Sequence, residues 1–146
     1  MATPITEHFT LEEMSATSHK DLQALNREYA GKHVEQLKPL CELLEQVRSV
    51  LGCPLIVSSG VRCPQLNARV GGAKNSQHMK CEAADILPKL CTVEDAFYKL
   101  FNSSVWFDQM ILEYSGRKCW LHISYSHAPR RESLIYDNGK YKKHKG

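Results

Sequence analysis

No run of apolar residues approaches the ~20 needed to carry a helix across a bilayer, so a membrane-spanning helix is excluded and membrane insertion is not expected. The opening residues, Met1 to Glu13, mix Thr, Glu, His and Phe and lack a basic stretch followed by an apolar one. A signal peptide is therefore not expected, and the chain is expected to be made and initially kept in the cytoplasm. Repeats and low-complexity segments are absent as well, so residues 1–146 are expected to form one domain. Nor does one charge dominate: 19 basic and 16 acidic side chains leave a net +3, too balanced to argue for nucleic acid. The surplus is concentrated at Lys140, Lys142, Lys143 and Lys145, and residues 137–146 are expected to be a flexible, solvated basic tail. Such a tail could also tether the chain weakly to an anionic polymer. Of the six cysteines no two have Cys-x-x-Cys spacing, which excludes a redox motif or zinc knuckle of that kind. Without an export signal the default is reduced thiols, most of them buried as small core residues.

What is present reads as helices followed by strands. Thr10, before Leu11-Glu12-Glu13-Met14, reads as the N-cap of a short helix with two acids in its favourable first turn. A second helical stretch is predicted over Lys20 to Tyr29, stopping near Gly31. The strongest periodicity follows: Leu37, Leu40, Cys41, Leu44, Val47, Val50 and Leu51 make one apolar helical face, ended by Gly52. Pro39 requires that helix either to start nearby, with proline in its first turn, or to kink. A brief helix is predicted over 64–70, closed by Gly71-Gly72, and Thr92 reads as the cap of another reaching about Asn102. Strands are predicted at 54–58, 83–87, 109–114 and 120–125, with 134–136 a candidate for another before an Asn138-Gly139 turn. This order predicts an α+β fold, N-terminal helices packed on a small, mostly antiparallel sheet.

Three side chains stand out against that background. Asp85 sits within the apolar run Ala83-Ala84-Asp85-Ile86-Leu87, where a carboxylate costs several kcal/mol unless it is paired, hydrogen-bonded or bound to a metal. His78 lies seven residues earlier in a polar loop, a spacing that suits a loop folding back onto a strand. His122 alternates against Leu121 and Ile123 and so shares its face with Trp120 and Ser124. Two histidines and one carboxylate make a common catalytic zinc set with one position left open. Hydrogen-bonded core histidines are the competing reading of the same pattern.

Ser59-Gly60-Val61-Arg62, Ser76-x-His78-x6-Asp85 and Trp120-x-His122 resemble, in that order, the zinc D-Ala-D-Ala carboxypeptidase family. That family includes phage L-alanyl-D-glutamate endopeptidases and vancomycin-resistance D,D-dipeptidases, and shares its fold with the hedgehog signalling domain. The short phage and prophage type looks nearest, sharing Phe9-Thr10-Leu11-x-Glu13-Met14 and Asn67-x-x-Val70-Gly71-Gly72-Ala73-Lys74-Asn75-Ser76-Gln77-His78. The resemblance implies a hedgehog/DD-peptidase-like fold and zinc held by His78, Asp85 and His122. It implies that Arg62 orients the substrate and polarises the scissile carbonyl, chemistry that suits a fixed guanidinium. Ser76, Gln77 and Trp120 would line the substrate cleft. Ser76 and Gln77 could instead satisfy the loop backbone.

The mechanism also needs a carboxylate as general base. Glu113 resembles the glutamate that precedes the last zinc histidine in the hedgehog-type arrangement, and Asp108 is the reserve. Where some relatives carry an acid three positions before that histidine, this chain has Cys119. A second departure is Cys81, where the family usually has Gly; if the position needs positive φ, a side chain there is strained. It opens a rival, a closed Cys2His2 structural site of His78, Cys81, Cys119 and His122. Two functional classes follow. One is a zinc peptidase hydrolysing peptidoglycan stem peptides, a monomeric endolysin-like enzyme reaching the cell wall when a phage lyses its host. The other is a non-catalytic zinc-containing component that binds the cell wall or belongs to a virion.

Overall fold

The computed structural model describes residues 2–144. Helices α1 (Leu11–Met14), α2 (Gln23–Lys32) and α3 (Val34–Leu51) precede strand β1 (Leu55–Ser59). Helix α4 (Pro64–Arg69), β2 (Ala83–Pro88) and α5 (Val93–Phe101) follow, then β3 (Gln109–Ser115), β4 (Lys118–Ser124), β5 (Glu132–Asp137) and β6 (Lys140–Lys143). The strands form one six-stranded sheet in the order β1-β2-β4-β3-β5-β6. All neighbours are antiparallel except β3 and β5. This is the α+β fold that the order of elements predicts.

Local chemistry explains the helix ends. Thr10 and Glu13 form a capping box at α1, and the Thr92 hydroxyl accepts from Asp95 N at 3.0 Å to open α5. Helix α3 begins at Val34, five residues before Pro39, so proline lies inside it rather than in its first turn. The N–H that Pro39 lacks would have bonded the carbonyl of Glu35, and Glu35 is exposed, so water can take that place. Gly52, at φ +66°, ends α3 in the left-handed conformation a glycine adopts without a Cβ clash. Leu37, Leu40, Leu44 and Val47 on its inner face are fully buried.

The two faces of the sheet have different jobs. Ala84 and Ile86 of β2, Met110 and Leu112 of β3, and Leu121 and Ile123 of β4 join the core with α3 and α5. Side chains alternate along a strand, so Asp85, Ile111, Glu113, Trp120 and His122 are turned to the opposite face. The core thus fixes which residues the open face presents; a one-residue slip would bury the wrong set.

One arrangement departs from the sequence reading, and one rival to that reading does not form among the described residues. Lys140, Lys142 and Lys143, read there as part of a tail, lie in β6, which pairs with β5 across the Asn138-Gly139 turn. Asn138 at φ +48° and Gly139 at φ +100° supply the left-handed pair that a tight two-residue hairpin needs, while Lys145 lies outside the described residues. The Cys2His2 site is not formed. Cys81 is fully buried in the core cluster, and Cys119 packs against that cluster from the face of β4 opposite His122.

Cys81 has φ +60°, a conformation that favours glycine. Cys81→Gly is therefore expected to be more stable than Cys81→Ala by about 1 kcal/mol, measured from urea unfolding midpoints, reversing the usual order of the two residues. An alanine variant as stable as the glycine one would remove backbone strain from this position.

Candidate metal centre

Strand register makes the first contact. Asp85 of β2 lies directly opposite His122 of β4, and His122 Nδ1 stands 3.0 Å from Asp85 Oδ1. His78 reaches the same oxygen from the loop before β2, its Nε2 3.5 Å away. His78 and Asp85 are buried, and the chelating atoms of the three residues all lie within 4.8 Å of one another. On the far side of the His78 ring, Nδ1 is 2.7 Å from the carbonyl oxygen of Gly60. A carbonyl can only accept, so Nδ1 carries the proton and a neutral His78 turns the Nε2 lone pair toward Asp85. Burial favours that neutral form by lowering the His78 pKa, against the raising effect of Asp85.

This donor set fits a metal ion. The Nε2 lone pair and a carboxylate oxygen are both acceptors, and two buried acceptors facing each other suit a cation between them. Ligand atoms about 2.0–2.2 Å from a tetrahedral zinc would be roughly 3.3 Å apart, and the observed 3.0 and 3.5 Å bracket that spacing. Burial alone would raise the Asp85 carboxyl, but the two imidazoles beside it, His122 and His78, outweigh it and hold the group below the usual carboxylate range.

Arg62 follows β1 and brings Nη2 to 3.6 Å from Asp85 Oδ2. Its guanidinium is braced by the Ser59 hydroxyl and by Asn67 Oδ1, both at 3.3 Å. Asn67, itself buried, ties down the loop that follows by donating to the Ala73 carbonyl at 2.9 Å. Gly72 makes this possible, because a Cβ there would overlap Asn67 Oδ1 and crowd Arg62 Nη1. Asn67 and Gly72 occur in the motif read from the sequence, but no linear pattern marks them as a brace for Arg62.

Glu113 lies opposite Trp120 across β3 and β4, and its Oε2 accepts from the indole Nε1 at 3.0 Å. Burial, then the Asp85 charge, push its carboxyl above the usual range. Glu113, Trp120, Arg62, Ser76 and Gln77 line a cleft of about 550 Å3 together with the three chelating residues. The Ser76 hydroxyl accepts from His78 N at 3.1 Å, and the Gln77 amide donates to Asp108 Oδ2 at 3.1 Å. Both side chains therefore hold local structure as well as facing the cleft. Asp108, the reserve base, is instead committed to Arg130, whose backbone N–H and guanidinium it accepts. The sequence reading missed Tyr136 and Tyr141, whose rings are 4.7 Å apart across β5 and β6 and which form one wall of the cleft. The Asn-Gly turn was the available signal.

A family model described as Peptidase M15 matches residues 7–124, a span that contains His78, Asp85, His122, Arg62 and Glu113 and stops before β5. No curated protein matches the chain.

Gly72→Ala is expected to lose about 2–3 kcal/mol of stability by overpacking against Asn67, against about 1 kcal/mol for Gly71→Ala, which meets nothing and suffers only from its positive φ. Urea unfolding of both variants measures this. Equal losses would mean that Asn67 does not need the space.

Proposed function

The chain belongs to the Peptidase M15 family, and we propose that it is a zinc-dependent peptidase hydrolysing peptidoglycan stem peptides, as a D,D-carboxypeptidase or endopeptidase of endolysin type. The observation that carries this reading is Glu113: a half-buried carboxylate with a raised pKa, lining the same cleft as the His78, Asp85 and His122 cluster and Arg62. A zinc ion held by those three side chains would supply Lewis acidity and bring the pKa of water toward neutrality.

The protein's own groups do the rest. Glu113 takes a proton from the attacking water and returns it to the leaving amine, a role suited to a carboxylate whose pKa lies closer to neutrality than usual. The Trp120 indole fixes which way that carboxylate faces by donating to Oε2. Arg62, held by Ser59, Asn67 and Asp85, places a guanidinium where negative charge develops on the scissile carbonyl oxygen. Because those braces are set before substrate arrives, little reorganisation is needed during the reaction. Ser76, Gln77 and Trp120 hold the peptide along the walls.

Glu113→Gln separates catalysis from zinc-dependent binding alone. The variant is expected to keep its fold and one zinc per chain while hydrolysis of purified peptidoglycan falls by roughly 10^2–10^4-fold. Undiminished hydrolysis would remove Glu113 as the base. A zinc-loaded wild-type protein that releases no muropeptides would support the non-catalytic, wall-binding reading instead.

A further inference from the structure

Strand β4 presents His122, Trp120 and Lys118 on one face at two-residue steps. His122 belongs to the chelating cluster, Trp120 lines both the cleft and a second cavity of about 530 Å3, and Lys118 lines only that second cavity. Arg62 is the other side chain common to both, so the two spaces meet across one guanidinium and one indole. Their charges differ. The cleft contains Asp85 and Glu113, whereas the second cavity gathers Lys118 and Arg62, and none of the described residues that line it is acidic.

Hydrogen-bond donors accompany the charge. Ser59 Oγ accepts from Arg62 Nε, which leaves its own hydroxyl hydrogen available to a ligand. Among the described residues neither Lys118 nor His19 has an ion-pair partner. An unpaired ammonium that faces a cavity beside a free hydroxyl, as Lys118 does beside Ser59, forms a receptor for a carboxylate. From His122 to Lys118 the strand rises roughly 13 Å, about four residues of extended peptide.

The geometry points to a second substrate subsite here, one that takes a carboxylate-bearing residue of the bound peptide within about four residues of the scissile bond. This rests on the peptide-cleft reading above and adds an electrostatic specificity to it: stem peptides with free side carboxylates are preferred over amidated ones. Lys118 supplies the attracting charge, Arg62 and Trp120 separate the subsite from the reacting bond, and Ser59 donates a hydrogen bond to the carboxylate.

Two synthetic stem peptides test this, one with a free carboxylate on its glutamyl residue and one amidated there. Both are titrated calorimetrically into zinc-loaded Glu113→Gln protein and digested by wild type, each with and without Lys118→Glu. The free acid is expected to bind about fivefold more tightly at low salt, with Lys118→Glu erasing that preference. Equal affinities, or a preference that survives Lys118→Glu, would overturn the subsite. If wild type cuts both peptides equally, the subsite falls and the peptidase reading stands. A Lys118-dependent preference without cleavage keeps the subsite and removes the peptidase. Binding of neither peptide overturns both.

Discussion

One carboxylate oxygen, Asp85 Oδ1, faces two imidazole nitrogens at 3.0 and 3.5 Å in a buried place, and much of the open face is arranged around that oxygen. A shared cation suits the acceptors that face each other there, and the backbone carbonyl of Gly60 ensures that His78 approaches with a lone pair rather than a proton. The other oxygen of Asp85 meets Arg62, so the residue proposed to hold the metal also helps to place the guanidinium proposed to polarise a substrate.

The arrangement depends on sheet alternation backed by the core. Ala84 and Ile86, Leu121 and Ile123, and Met110 and Leu112 bury one face of three neighbouring strands against helices α3 and α5. That burial locks register, and register alone puts Asp85 opposite His122 and Glu113 opposite Trp120. The chemistry is thus positioned by residues that take no part in it. Cys81 illustrates the tension this creates: its side chain is fully buried in the core while its backbone keeps a conformation suited to glycine.

Sequence patterns made the centre of this arrangement legible. A carboxylate inside an apolar strand and a histidine alternating with Leu121 and Ile123 are local signals, and the helical face of α3 is a periodic one. What stayed hidden depends on neighbours remote in the chain. The parallel pairing of β3 with β5 has no local marker, so a lysine-rich segment read as a tail, when it forms β6 and brings Tyr141 to the cleft wall. Pro39 left open whether α3 starts beside it or runs through it, because nothing local shows that the carbonyl it leaves unbonded belongs to an exposed residue. The brace of Arg62 by Asn67, and the space at Gly72 that permits it, exist only once the loop has folded back. The second cavity joins His19 to Lys118, nearly a hundred residues apart, and no periodicity reports such a meeting.

The proposed chemistry depends on three side chains holding zinc, and X-ray absorption at the zinc edge of the metal-loaded protein tests them most directly. The account predicts one tightly held zinc per chain with only nitrogen and oxygen neighbours at about 2.0–2.2 Å, two of them imidazoles, and loss of that signal in Asp85→Ala. Sulfur neighbours at about 2.3 Å, or stoichiometric zinc that survives removal of Asp85, would contradict it.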